Sequence, residues 1–408
     1  MSDTHEQAVS LEDIVEARQS MQGVVHQTPL DLSATFSALT GNRVYLKTEN
    51  WQKTGSFKIR GAFNKLRCLS AEERSRGVIA ASAGNHAQGV AYAAAQAGIK
   101  ASVVMPVGAP VSKVMATKGY GARVILAGEG YDAAYRRAVE LQQETGATFV
   151  HAFDDQAVIA GQGTIGLEIL EVLPELEAVV VPVGGGGLIS GVATAIKTLK
   201  PDVKILGVQA DGAASMAVSV REGAIRELPQ AGTIADGIAV KRPGSLTFSI
   251  IQGLVDDIVT VPDEDITTAI LMLLERSKMI AEGAGAVALA ALLTGRLGLS
   301  GKRVAAIVSG GNIDVHVISQ IIERGLVKAG RFVSMRTVLL DRPGALGRLL
   351  SLVASAQANV ISITHDRTKP NVPIRQAEVV LSLETRDSEH INQIMELLVR
   401  EGYCVERL

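Results

Sequence analysis

The feature that most constrains the fold is a set of short apolar runs rich in valine and isoleucine. Three of them are AVVVPV (178–183), KILGVQA (204–210) and VAAIVS (304–309). Such runs are typical of strands buried on both faces of a parallel sheet. Segments with helical spacing separate them, and strands joined by helices form right-handed βαβ units. We therefore predict an α/β fold with mostly parallel sheets, which bind ligands at the carboxyl ends of their strands.

The same alternation runs through the N-terminal part of the chain. Ser10 and Asp13 form a capping pair that predicts a helix through about Met21. The other predicted strands are 44–49, 77–82, 101–106, 122–127 and 149–153. The other predicted helices are 57–69, 85–96, a segment after Pro110, and 131–144.

The pattern changes near residue 330 and predicts a separate C-terminal domain. The predicted elements are a strand at 332–340, a helix at 345–358, strands at 359–367 and 374–385, a helix at 388–402 and a strand at 403–408. This βαββαβ order is that of ferredoxin-like domains. We predict a catalytic domain at 1–325, a linker at 326–331 and the second domain at 332–408.

Composition excludes several function classes. Forty basic and 42 acidic residues leave a net charge of −2, so no basic surplus indicates a nucleic-acid partner. Cys68 and Cys404 are too few for a disulfide framework, and reduced thiols are typical of a cytoplasmic protein. The seven histidines show no HExxH or paired spacing, so we predict no metal site.

We also expect neither a secretion signal nor a membrane span. Residues 1–10 have no basic start followed by an apolar stretch. Residues 178–196 are uncharged, but Pro182 and the glycines at 184–187 make a membrane helix unfavourable there. A strand, a loop and a helix fit that segment better.

Four motifs at predicted strand ends carry chemistry. Lys58 stands between Phe57 and Ile59 in TGSFKIRGA (54–62), where a lysine can lose its charge and form an imine. A surface lysine with a buried stem is the simpler interpretation. SAGNHAQG (82–89) predicts an anion site at a helix start, although Asn85 on its own is more typical of a helix cap.

The other two motifs are a glycine run and a serine. VPVGGGGLISG (181–191) lets several backbone N–H groups approach one anion, as a phosphate requires, although a flexible hinge is an alternative. Ser309 in VSGGN (308–312) is placed to bond a ligand atom, or only to cap a turn. Together the lysine, the glycine cradle and the polar groups indicate pyridoxal phosphate.

These motifs, in this order, resemble the fold type II pyridoxal phosphate enzymes. The match in ENWQKTGSFKIRGA (49–62), ASAGNHAQGVA (81–91), PVGGGGLISG (182–191) and SGGN (309–312) is to the threonine and serine dehydratases, also called threonine ammonia-lyases. The resemblance implies two open α/β lobes, with a small lobe at about 55–150 inserted in the large one. The tail resembles an ACT domain, since DRPGALGRLL (341–350) is similar to its first strand–helix turn.

The resemblance also implies a role for each site residue. Lys58 would bind the cofactor and act as the base at Cα, and Lys58 and Ser82 are the predicted catalytic residues. Cofactor-binding residues would be Phe57 and Gly237 on the two ring faces, Asn85 at the 3-oxygen, Ser309 at the pyridine nitrogen, and Gly184, Gly185, Gly186 and Gly187 at the phosphate. Substrate-binding residues would be Ser82, Ala83, Gly84, Asn85 and His86. Allosteric residues would be Asp341, Gly344 and Leu346.

The implied reaction is β-elimination of water from L-threonine, giving 2-oxobutyrate and ammonia, and from L-serine, giving pyruvate. A neutral serine at the pyridine nitrogen favours elimination over transamination. The related serine racemases carry a second serine where this chain has Ala83, and alanine has no exchangeable proton, so racemisation is disfavoured. A dehydratase preferring L-serine or 3-hydroxyaspartate, a racemase and a catalytically silent amino-acid sensor are the alternatives.

The ACT resemblance implies an amino-acid effector and a homo-oligomer, either a dimer or a tetramer, in which ACT domains pair. The effector would bind near DRPGALG (341–347). We expect a side chain at Gly344 to crowd the backbone and a ligand there. The implied setting is a cytoplasmic enzyme of amino-acid metabolism, with isoleucine biosynthesis and degradation both open.

Overall fold

The computed structural model describes residues 9–408. Most of the segment that bears on a secretion signal, residues 1–8, therefore lies outside the described residues. The chain divides into two compact units, with the division between Asp314 and Val315. This division lies before the linker that the sequence predicts at 326–331, and that linker stays a prediction.

A six-stranded sheet forms the base of the first unit. Its order is β1-β2-β10-β7-β8-β9, and all neighbours are parallel except β1 and β2. The buried valine and isoleucine runs form its centre, as predicted. The strands are β1 (Leu30–Leu32), β2 (Arg43–Thr48), β7 (Ala178–Pro182), β8 (Lys204–Ala210), β9 (Asp257–Val261) and β10 (Arg303–Val308).

A second, four-stranded sheet lies within the same unit and is parallel throughout. Its order is β5-β4-β3-β6. The strands are β3 (Val78–Ala81), β4 (Ala101–Met105), β5 (Arg123–Leu126) and β6 (Thr148–Phe149). The two sheets together confirm the predicted α/β class with mostly parallel strands.

The strand predicted at 149–153 is wrong beyond Phe149. The Nδ1 atom of His151 accepts hydrogen bonds from the backbone N–H groups of Phe153 and Asp154, at 3.3 and 2.9 Å. Those bonds replace sheet pairing and turn the chain away from β6. The segment is thereby free to line a cavity, as described below.

Helices connect the parallel strands and cover the sheets, as βαβ units require. Ser10 caps the first helix through the predicted capping box with Asp13. The helices of the first unit are α1 (Leu11–Ser20), α2 (Ala34–Thr40), α3 (Lys58–Arg67), α4 (Ala71–Arg76), α5 (Asn85–Ala97), α6 (Val111–Gly119), α7 (Tyr131–Thr145), α8 (Gln156–Val172), α9 (Gly187–Leu199), α10 (Ser215–Glu222), α11 (Ser245–Leu254), α12 (Asp263–Ser277) and α13 (Gly283–Leu293).

The second unit carries the predicted βαββαβ order. Its antiparallel sheet has the order β12-β13-β11-β14, and its core contains Leu349, Leu381 and Ile391. The helix predicted to reach residue 358 ends at Ser355. The elements are α14 (Val315–Lys328), β11 (Phe332–Leu340), α15 (Ala345–Ser355), β12 (Asn359–Asp366), β13 (Gln376–Glu384), α16 (Ser388–Arg400) and β14 (Val405–Arg407).

Candidate active site

A cavity of about 1040 Å³ in the first unit collects every predicted catalytic, cofactor-binding and substrate-binding residue. The carboxyl ends of β3, β7 and β10 contribute to its wall, as the sheet topology predicts. The predicted residues that line it are Phe57, Lys58, Ser82, Ala83, Gly84, Asn85, His86, Gly184, Gly185, Gly186, Gly187, Gly237 and Ser309.

Lys58 is the first residue of α3, and its amine lies inside the unit rather than at the surface. Its Nζ donates a hydrogen bond to the carbonyl of Ala152 at 2.9 Å and lies 5.0 Å from the ring centroid of Phe57. Burial lowers the pKa of Lys58 to about 8, although Glu282 acts in the opposite direction. The interpretation as a surface lysine is therefore wrong, and the amine is partly neutral at neutral pH.

A buried ion network holds the helix that carries Lys58. The Arg60 guanidinium lies 2.8 Å from a carboxylate oxygen of Glu49 and 2.6 Å from one of Glu168, and Lys47 contacts Glu168 at 2.5 Å. Burial alone would raise the pKa of Glu49, but Arg60 outweighs it and lowers that pKa. Because both charges of each pair are satisfied, the network fixes α3 against β2 and α8.

The four glycines at 184–187, which connect β7 to α9 and include the first residue of α9, form a packed cradle. A Cβ on Gly185 would lie 2.4 Å from the Phe153 ring, and one on Gly187 would lie 2.9 Å from the Phe153 Cα. Gly186 has a φ of +99°, which favours glycine. All four are buried and closely surrounded, so the loop is not a flexible hinge. Its N–H groups precede α9, and the donor set fits one phosphate.

The loop from Ser82 to His86 leads into α5, whose N-cap is Gly84. The Ser82 hydroxyl accepts a hydrogen bond from the Gly84 N–H at 3.2 Å. The Nε2 atom of His86 donates to the Val150 carbonyl at 2.8 Å. Burial, followed by the charge of Lys58, lowers the pKa of His86 to about 3, so its ring is neutral. The loop thus offers neutral donors at a helix start.

Asn85 and Ser309 do more than cap local turns. The Asn85 amide bonds to two distant side chains, Glu282 and Asn312, and makes no cap. Ser309 is 2% exposed, and its hydroxyl donates to the Ala284 carbonyl at 3.2 Å. A backbone hydrogen bond from Phe57 to Ser309 holds the residue before Lys58 next to β10.

Sequence reasoning missed several residues of this site. Phe153 packs against the glycine cradle, and the Thr247 hydroxyl donates to the Gly185 carbonyl at 2.6 Å. Glu282 is buried in the cavity wall at the start of α13. One sequence signal could have found it: a single carboxylate directly precedes the uncharged helix GAGAVALAALL.

The predicted allosteric residues lie in the second unit, at the turn from β11 to α15. The Asp341 N–H donates to the Arg375 carbonyl at 2.8 Å, and Leu346 packs against the core of that unit. Gly344 has a φ of +87°, and a Cβ there would meet no atom within 4 Å. The expected crowding of the backbone is wrong, since conformation rather than space favours glycine there.

Among the described residues, no group of three histidine, cysteine or acidic side chains could hold a metal ion. Within residues 9–408, each helix is too short or too polar to cross a membrane.

Comparison with known proteins assigns families to both parts of the chain. A family model described as pyridoxal-phosphate dependent enzyme matches residues 21–310, and the ACT domain model matches residues 333–402. An L-threonine ammonia-lyase of Thermotoga maritima is 55% identical over 397 residues, which are 97% of this chain and 99% of the relative.

Solved structures agree with these matches. Maize serine racemase has a TM-score of 0.75 and 39% identity, covering 79% of this chain and 99% of its own. Threonine deaminase isoform 2 from Solanum lycopersicum has a TM-score of 0.74 and 41% identity, covering 79% of this chain and 89% of its own. A racemase and a deaminase are thus nearly equally similar in structure to this chain, and the fold does not distinguish their two reactions.

Proposed function

Because the chain belongs to the pyridoxal-phosphate dependent enzymes, and within them to the L-threonine ammonia-lyases, we propose that it converts L-threonine into 2-oxobutyrate and ammonia. The observation that carries this proposal is the single cavity in which Lys58, the glycine cradle, Ser309 and the 82–86 loop meet. A relative of 55% identity over nearly the whole chain supports the choice of substrate.

The residues present fit pyridoxal phosphate. The cradle at 184–187 has space only for backbone, and its N–H groups suit the phosphate. Phe57 and Gly237 would contact the two faces of the ring, and Ser309 its nitrogen. When bound, the cofactor supplies a carbonyl that condenses with amines and a ring that withdraws electrons from the substrate Cα.

Lys58 has two tasks in this proposal. Its Nζ would hold the cofactor carbonyl before substrate arrives, and the amine would then accept the proton from the substrate Cα. Both tasks need a neutral amine. With a pKa of about 8, the amine is neutral in about one molecule in ten at pH 7, against fewer than about one in a thousand for an exposed lysine.

The start of α5 binds the substrate carboxylate. The first N–H groups of a helix have no partner within it, and the helix dipole favours an anion there. The Ser82 hydroxyl and the loop residues Ala83 and Gly84 complete this site, and His86 supports it as a neutral ring. The carboxylate is thereby held by hydrogen bonds rather than by an ion pair.

Ser309 adds no charge to the site. Its hydroxyl stays neutral across the working pH range, unlike a carboxylate at the same place. The electron-withdrawing power of the ring is therefore moderate, which favours prompt loss of the β-hydroxyl over longer-lived alternatives. Overall, a proton from Cα and the hydroxyl from Cβ leave as water. Hydrolysis of the remaining amino group then yields the 2-oxo acid and ammonia.

L-Serine has the same reacting groups and lacks only a methyl group, so the chain also converts L-serine into pyruvate. One methyl group more or less in the substrate changes kcat/KM by about 10- to 200-fold. The second unit binds a small amino acid near Asp341, Gly344 and Leu346, and this binding controls turnover. The chain acts as a cytoplasmic homo-oligomer, a dimer or tetramer, in amino-acid metabolism that includes isoleucine biosynthesis.

The test is product analysis with the cofactor-loaded full chain. L-Threonine should yield 2-oxobutyrate and ammonia in equal amounts, and L-serine should yield pyruvate. D-Serine as the main product from L-serine would favour a racemase. Full cofactor loading without turnover of threonine, serine or 3-hydroxyaspartate would indicate a silent sensor.

A further inference from the structure

The Asn85 side chain is held at both ends of its amide. Its Oδ1 accepts a hydrogen bond from the Asn312 Nδ2 at 2.8 Å, and its Nδ2 donates to the Glu282 Oε1 at 2.5 Å. Asn312 is itself fixed, since its Nδ2 also donates to the Thr54 carbonyl at 2.7 Å. This network assigns the orientation of the Asn85 amide. One amide hydrogen of Asn85 remains for a ligand in the cavity.

Two glycines give these partners their space. A Cβ on Gly310 would lie 2.3 Å from the Glu282 Oε1 and 3.1 Å from the Asn85 Nδ2. A Cβ on Gly55 would lie 2.3 Å from the Asn312 Oδ1. These glycines belong to the SGGN and TGSFK motifs, so the motifs leave room for the Asn85 partners as well as for a cofactor.

Glu282 is an unusual partner for an amide donor. Its side chain is 4% exposed, and within residues 9–408 no lysine or arginine forms an ion pair with it. Burying an unpaired carboxylate is costly, so such a group takes up a proton. The charged groups that influence it are Asp236 before α11, Lys113 on α6 and Lys58 on α3.

Together with burial, these groups favour the protonated form of Glu282 near neutral pH. Burial and the charge of Asp236 raise the pKa of Glu282 to about 7, against the opposing effects of Lys113, the Asn85 hydrogen bond and Lys58. Lys113 is itself paired with Asp236 at 2.5 Å, which limits its effect on Glu282.

We propose that Glu282 is a positioning residue of the cofactor pocket, which holds the Asn85 amide in place and does so as the neutral acid. The proposal rests on the proposed function, because it takes the ligand of Asn85 to be an oxygen of pyridoxal phosphate. Ionised Glu282 would place a second negative charge beside an anionic cofactor. Ionisation therefore weakens cofactor binding, while the neutral acid keeps the hydrogen bond without that repulsion.

Glu282→Gln separates charge from hydrogen bonding, because glutamine keeps an acceptor oxygen and cannot ionise. The measurement is the Kd of pyridoxal phosphate for the full chain, by equilibrium dialysis across a pH series. Below pH 7 the Kd should equal that of wild type. At about pH 8 the wild type should bind about tenfold more weakly than Glu282→Gln, as linkage to one proton requires.

Two further variants keep the test decisive. Asp236 is exposed, and its charge raises the pKa of Glu282. Asp236→Asn should therefore lower that pKa, and the loss of cofactor affinity should begin at a lower pH than in wild type. Glu282→Ala should bind more weakly at every pH, since Asn85 loses one partner. The matched control, Glu264→Gln on the exposed part of α12, should follow wild type throughout.

A constant ratio between wild type and Glu282→Gln at all pH values would overturn the proposal. So would an equally weak Kd for Glu282→Gln and Glu282→Ala below pH 7, or an unchanged pH profile in Asp236→Asn. These outcomes are distinct from failure of the proposed function. Cofactor affinities that behave as expected, without threonine turnover, would reject the reaction and leave the role of Glu282 intact.

Discussion

The cavity of the first unit and the β11–α15 turn of the second are both built around glycines, but the glycines serve different purposes. In the cavity, a Cβ on Gly185 or Gly310 would collide with Phe153 or Glu282. At the turn, Gly344 has open space around it and a positive φ. The first site is thus shaped by contacts inside one chain. The second is shaped by backbone conformation, with open space around its glycine.

The two regions also differ in how they treat charge. The cavity keeps Lys58 and Glu282 in surroundings that shift both pKa values towards neutrality. At the turn, Asp341 is exposed and lies 3.4 Å from Arg367, an ordinary surface pair. Perturbed titration is typical of sites that move protons. Chemistry therefore belongs to the first region, and we expect recognition without chemistry in the second.

The largest effect should come from Lys58→Ala, which removes both the amine that bonds the cofactor and the base. Threonine turnover should fall by at least about 10⁴-fold, and the visible absorbance of bound cofactor should disappear. Lys53→Ala is the matched control, because Lys53 is exposed and lies in the same segment. Normal turnover in Lys58→Ala would remove the basis for placing the chemistry in this cavity.

Gly186→Ala should have the next largest effect. The backbone at Gly186 has a φ of +99°, and a Cβ would lie 2.8 Å from atoms of Ile251, Met216 and Thr247. Strain of about 1–3 kcal/mol should raise the Kd of pyridoxal phosphate about 5- to 150-fold. The control is Gly253→Ala in α11, which has open space and should stabilise the helix by about 0.5–1 kcal/mol. Equal cofactor affinity in both variants would show that the cradle tolerates side chains.

Much of the cavity could be predicted from the sequence, because apolar runs reveal strands and parallel strands bring their carboxyl ends together. The positions of Lys58, Asn85, the glycine cradle and Ser309 follow from that rule. The place of Glu282 in the cavity could not be predicted in this way, because its partner Asn85 lies 197 residues away and no local sequence pattern joins the two. The run at 149–153 was misleading, because the His151 side chain forms hydrogen bonds that end the strand.

At the β11–α15 turn, the secondary structure could be predicted but the role of the glycine could not. The βαββαβ order of the second unit was predictable element by element, and the strand Phe332–Leu340 has the predicted bounds. The reason why a glycine stands at position 344 could not be predicted. The sequence alone does not show whether a glycine is required by crowding or by a positive φ. Only the backbone angle and the empty space around it make that distinction.

Gly344→Val tests the role of the β11–α15 turn. A β-branched residue at a φ of +87° costs about 1–2 kcal/mol and should distort the turn. Threonine saturation, measured with and without L-isoleucine, L-valine and L-leucine, should lose most of its response to effector. The visible absorbance of the cofactor should stay as in wild type. Gly402→Val is the control, since Gly402 has a φ of +89° and lies in open space after α16. A full effector response in Gly344→Val would reject the assignment of this turn.

The smallest effect should come from Ala83→Ser, which adds an exchangeable proton to the wall of the cavity. We expect a low but measurable formation of D-serine from L-serine, with some loss of elimination. Ala239→Ser, elsewhere in the same wall, should not form D-serine. Chiral analysis of the remaining serine is the measurement. Complete absence of the D-isomer in Ala83→Ser would mean that this position lies away from the substrate Cα.

The role of Lys58 can be tested by locating the residue to which the cofactor is bound. Borohydride reduction makes a bond between a lysine amine and the cofactor carbonyl permanent, and mass spectrometry of the digested full chain then locates it. We expect the cofactor mass on Lys58 alone, with the other cavity lysines, Lys113 and Lys241, unmodified. Modification of either of those lysines in place of Lys58, or of none in a chain that turns over threonine, would contradict this expectation.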